Sequence, residues 1–144
     1  MADRLAATAA ARTLRAFFSV WTWENCAFPG RFKPDALYLE KAAEAHVLIL
    51  LIDDRLSVNT KREYDASVRN RRSQMILFRE GAKLDPSARD FKRKLRGATY
   101  WQYGNEDELR TIIYRGLRMN MLRYAKIGMK ASIGTRVEYS ELGV

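Results

Sequence analysis

The chain reads as an α/β protein built on a mainly parallel sheet, and three features lead there. Val47–Ile52, VLILLI, is an unbroken apolar run that Asp53 and Asp54 bring to an end. Such a run, bounded by polar residues, marks a strand buried on both faces, as strands of parallel sheets are. Two further β-prone runs, residues 74–78 and 99–103, are separated from it and from each other by helix-like segments. That alternation is the pattern of α/β folds. At 144 residues the chain has the size of one domain with a real core.

The elements follow in order. Residues 2–14 are alanine-rich and favour helix. Phe17, Phe18, Val20 and Trp21 make residues 15–23 a β-prone stretch, and Pro29-Gly30 signals a turn in the loop of residues 24–33. Pro34 suits a first helical position, with Leu39, Ala42 and Ala43 on one face of the helix after it. The central run follows, then a loop and a helix over residues 60–70. Residues 74–78 are a third strand, ended by Glu80-Gly81, and Asp85-Pro86 caps a helix that Gly97 stops. Residues 99–103, with three aromatics, form a fourth strand. Asn105 with Glu108 resembles a capping box, and acidic residues fill the first turn where the dipole favours them. Leu109, Ile112, Ile113, Gly116, Leu117, Asn120, Met121 and Tyr124 then recur at helical spacing. Residues 1–126 are read as one domain and 127–144 as a Gly-punctuated tail.

Composition narrows the function classes. With 47% hydrophobic and 30% charged residues the chain is an ordinary globular one, not a disordered one. No apolar run approaches the roughly 20 residues of a membrane span, so no membrane partner is expected. The Ala/Arg-rich start resembles a transit peptide only faintly, since Asp3 and the lack of a clear apolar face argue against one. One cysteine, Cys26, excludes an internal disulfide and fits a reducing, cytoplasmic interior. With a single histidine, His46, it also argues against a His/Cys metal site. The net charge of +9 suggests contact with something anionic, whether nucleotide phosphate, nucleic acid or an acidic partner, although basic clusters such as Arg69/Arg71/Arg72 are usually solvated helix faces and loop ends. No recognisable nucleic-acid motif accompanies the charge, which ranks nucleic acid low.

Trp21-x-x-Glu24-x-x-x-Phe28-Pro29-Gly30 resembles the second strand and following loop of a TIR (Toll/interleukin-1 receptor) domain. That loop carries an acidic residue and then a hydrophobic-Pro-Gly element. The run HVLILLID is similar to the family's third strand. Ser57-Val58-Asn59-Thr60-Lys61-Arg62-Glu63 matches the family's serine-to-glutamate spacing, with Asn59-Thr60 where the family has Trp-Cys. In that detail it resembles nucleoside deoxyribosyltransferase-like bacterial proteins, which carry Thr-x-x-Glu there. The resemblance covers about residues 15–125. Folds of this kind open with a central strand, whereas this chain starts in the helix-like residues 2–14. Either the recorded start lies downstream of the true one, or another segment, such as the β-prone residues 135–139, fills the gap.

The resemblance implies a flavodoxin-like three-layer sandwich, TIR-like in its details. It also implies cleavage of the N-glycosidic bond of NAD or a related nucleotide, in bacterial defence or signalling, with NAD as substrate and no resident cofactor. Glu63 would be catalytic, stabilising an oxocarbenium-like ribose or holding its hydroxyls. Trp21, Trp23 and Phe28 would stack on a base, Ser57 and Asn59 would donate to phosphate or ribose oxygens, and Glu24 and Tyr64 would complete the substrate site. Plainer readings stand beside these. Thr60-x-x-Glu63 is also a capping box, Tyr64 suits packing, Asp53 and Asp54 suit solvated loop acids, and Cys26 suits a small filler. Two alternatives from other classes remain: an interaction module that self-associates through the loop of residues 24–32, and a basic nucleic-acid-binding domain.

Overall fold

The computed structural model describes residues 2–14, 34–95 and 100–134. They form helix α1 (Ala2–Arg12), α2 (Pro34–Glu44), strand β1 (Val47–Ile52), α3 (Val58–Arg69), β2 (Ser73–Arg79), α4 (Pro86–Lys94), β3 (Tyr100–Tyr103) and α5 (Glu106–Gly134). The strands lie side by side in the order β1-β2-β3, and both pairings are parallel. Val47 pairs with Ser73 and Ile52 with Phe78; Ile76 pairs with Tyr100 and Arg79 with Tyr103. This is an α/β, flavodoxin-like arrangement. The strand expected over residues 15–23, with the loop after it, lies outside the described residues.

Strand alternation sorts the side chains into two cores. Met75, Leu77 and Tyr103 are buried on one face, with Val47, Ile49, Leu51 and Trp101 beside them, under α1 and α5. Leu50, Ile52, Ile76 and Phe78 are buried on the other, under α4 and part of α3. Helix α2 packs on α3. The alanine-rich start, which shows no bulky apolar face in sequence, proves to have a buried one. Ala6, Ala7, Ala10, Ala11 and Leu14 recur at helical spacing and fill that stripe. Small side chains let α1 lie close to α5.

Most helix starts and stops follow local rules. Asp85 accepts the Ala88 amide at 2.7 Å and caps α4, with Pro86 in the first turn. That hydrogen bond is the main reason its carboxyl is held below the ordinary value of 3.8. Asn105 accepts the Glu108 amide at 2.9 Å, while the Glu108 carboxylate reaches back to the Gly104 amide at 2.7 Å, one residue before the cap. Helix α5 then runs without a break through Gly134, across the expected boundary at residue 126. Gly116 lets it approach the sheet closely: a Cβ there would lie 2.1 Å from Met75 Cε.

Helix α3 ends in a Schellman arrangement. Arg71 donates to the Val68 carbonyl and Arg72 to that of Ser67, each at 3.0 Å. Arg71 has φ 54°, a left-handed conformation that glycine adopts without a Cβ clash. Arg71→Gly is therefore expected to stabilise the protein by about 0.5–1 kcal/mol, after the entropy of an unfolded glycine is allowed for. The check is a higher urea midpoint at unchanged slope.

Candidate functional site

In open parallel sheets ligands bind beyond the carboxyl ends of the strands. Here those ends carry Asp53 and Asp54 after β1, Arg79 and Glu80 at and after the end of β2, and Tyr103 and Gly104 at and after the end of β3. The first turn of α1 reaches this end of the sheet. Asp3 Oδ2 accepts from Arg79 Nη1 at 2.9 Å and from the Tyr103 hydroxyl at 2.9 Å. Burial chiefly, and then the Asp3 hydrogen bond and charge, push the Tyr103 hydroxyl well above its ordinary pKa. The charge of Asp53 acts in the same direction. Asp3, Asp53, Arg79 and Tyr103 thus form one electrostatic group, with the phenol held protonated as a donor.

Glu63 belongs to α3, whose start is set by Ser57. Ser57 is extended (φ −69°, ψ 155°), and its Oγ accepts the Thr60 amide at 3.1 Å and lies 2.9 Å from Thr60 Oγ1. The helix therefore begins at Val58, two residues before the expected start, and Thr60 is its third residue. That placement removes the capping reading of Glu63. With Ser57 as the cap, Glu63 sits six residues in, beyond the orphan amides of the first turn. The Thr60-x-x-Glu63 spacing does not form a capping box.

The Glu63 carboxylate is half-buried, and desolvation raises its pKa above the ordinary 4.5, with the charge of Arg4 working against the rise. Arg4 lies on α1, which covers the opposite face of the sheet from the α3 residues packed on it. Side chains from helices on opposite faces come near each other only around an edge or an end of the sheet. Arg4, which acts on Glu63 through its charge, is the chain neighbour of Asp3 in the first turn of α1.

The other expected site residues fall in three places. Ser57 and Asn59 are exposed at the start of α3, the first engaged as the cap. Tyr64 is partly buried, and its ring packs edge-on against Phe91 of α4, with centroids 4.9 Å apart. Trp21, Glu24 and Phe28 lie outside the described residues, as do Trp23 and Cys26. His46 is exposed before β1, its ring edge-on to Tyr124 at 5.4 Å and its carbonyl accepting the Tyr124 hydroxyl at 2.9 Å. No group of three or more His, Cys, Asp or Glu residues suited to a metal ion occurs among the described residues.

Asp3, Arg4, Arg79 and Tyr103 are not among the site residues expected from the sequence. For Arg79 and Tyr103 a signal was present, because each closes a buried strand at its carboxyl end. For Asp3 there was none, since its partners are 76 and 100 residues away. Comparison with known proteins adds no assignment: no protein-family model, curated protein or solved structure matches this chain.

Proposed function

We propose that the protein cleaves the N-glycosidic bond of NAD or a related nucleotide, with Glu63 as the catalytic carboxylate. The observation that carries this reading is the state of Glu63. It is a desolvated carboxylate with no capping role, in a helix that starts beyond the carboxyl end of β1. Perturbed carboxyl groups of this kind concentrate at functional sites.

The chemistry asks for one well-placed anion. As the bond from the anomeric carbon to nicotinamide breaks, the electron pair leaves with the base and positive charge spreads over the ribose. A carboxylate that water solvates poorly stabilises that charge more than an exposed one does. Water then adds to the anomeric carbon and releases a proton. Nicotinamide is already a good leaving group, so positioning supplies much of the rest. On this reading Trp21 and Phe28 stack on the base, Glu24, Ser57, Asn59 and Tyr64 contact the substrate, and Tyr103 and Arg79 offer donors at the strand ends.

The test is incubation of the purified chain with NAD, and separately with purine and pyrimidine nucleosides, with chromatographic detection of released base. Release that is absent from Glu63→Gln supports the reading. No release from any substrate overturns it in favour of an interaction module.

A further inference from the structure

Helix α5 has two different faces. Toward the sheet it buries Leu109, Ile113 and Leu117. Away from the sheet it exposes three large apolar side chains, Tyr114 at 41%, Leu122 at 52% and Met119 at 69%. At the helical turn of 100° per residue, Arg118 falls between Tyr114 and Leu122, Arg115 falls between Leu122 and Met119, and Arg123 lies just beyond Met119. All three arginines are exposed. Charge along the helix is one-sided. From Leu109 to Gly134 the sequence carries Arg110, Arg115, Arg118, Arg123, Lys126 and Lys130 and no acidic residue.

We infer that this face of α5 is a docking surface for an anionic lipid bilayer. A basic helix surface is attracted to an anionic leaflet, where its cations meet the headgroups and interleaved apolar side chains such as Met119 and Leu122 enter the acyl boundary. The sign of the charge selects this occupant. A second copy of the chain docked through the same face would set arginine against arginine, with no acid on the helix face to offset them. Met119 and Leu122 offer nothing to phosphates or base edges, which weighs against nucleic acid. No described helix is long and apolar enough to cross a membrane. The expectation of no membrane partner rested on that kind of segment, and a helix lying on the surface needs none. The inference stands independently of the chemistry at Glu63.

Co-sedimentation tests it, using vesicles of phosphatidylcholine alone and vesicles containing about 30% phosphatidylserine. The parent is expected to pellet with the anionic vesicles only, and to release as salt is raised. Arg115→Gln with Arg118→Gln should weaken binding by about tenfold or more at low salt. Met119→Ser with Leu122→Ser should weaken it at every salt concentration. These positions are exposed, so circular dichroism and melting temperature should not change. Equal pelleting with both vesicles, or with neither, overturns the inference. So does full binding by both double variants. Binding to duplex DNA without vesicle binding, or a dimer in sedimentation that Met119→Ser with Leu122→Ser dissociates and that ignores vesicles, overturns it as well.

Discussion

Glu63→Gln is expected to abolish base release by orders of magnitude while leaving the fold at least as stable as the parent. On the proposed reading, the activity loss follows from removing the anion that would face the developing ribose cation. The stability result follows from the direction of the pKa shift. Burial raises the Glu63 carboxyl above 4.5, so the folded state favours its protonated form. The corresponding stability is present below the unfolded value of 4.5 and is lost as pH rises through the raised folded value. At neutral pH the charged carboxylate therefore costs stability, and the neutral amide removes that cost. Ser57 caps the helix, so no cap is lost.

Two measurements check this together. Nicotinamide release by the parent should rise with pH along an acid limb displaced above the ordinary glutamate value. Arg4→Gln, which removes the opposing charge, should move that limb further up. Melting temperatures of parent and Glu63→Gln should converge at acid pH and separate at neutral pH, with the variant higher. A variant that melts lower at neutral pH, or that keeps its activity, contradicts the assignment.

Phe78→Ala is expected to be the most damaging core substitution, at about 3–5 kcal/mol. Phe78 is 0% exposed and pairs with Ile52 across the sheet. Its ring is edge-on to Tyr100 with centroids 5.4 Å apart. Lys92 Nζ lies 5.0 Å from the centre of the Phe78 ring and 5.3 Å from that of Tyr100, so α4 is held to both strands through one residue. Domains of this size are stable by about 5–15 kcal/mol, so the variant gives up a large share of that stability. Phe78→Leu keeps most of the volume and should cost far less. Urea unfolding of the two variants separates the cavity from the ring contacts.

Three of the four expected strands, all that the described residues can show, and most of the described helix starts are legible in the sequence. Residues 47–52 and 75–78 are apolar without interruption because both faces of the sheet are covered there. Pro34, Asp85 and Asn105 marked helix starts because capping is a contact between near neighbours in sequence. The same locality explains the miss at α3. Ser57 and Thr60 are both good caps, and which one served depended on how the chain leaves β1. The sequence also showed Glu63 as a candidate, but not its state.

The surroundings of that carboxylate come from tertiary packing and leave no mark in the local sequence. Desolvation depends on which elements pack beside a group, and the charge of Arg4 reaches Glu63 from a helix on the other face of the sheet. The Asp3–Arg79–Tyr103 group joins residues from the first turn of the chain and the ends of two strands. No periodicity encodes a meeting across 76 or 100 residues. The alanine stripe of α1 is a similar case. Alanine is weakly apolar, so the sequence alone shows a good helix former, and burial under α5 and the sheet turns it into part of the core.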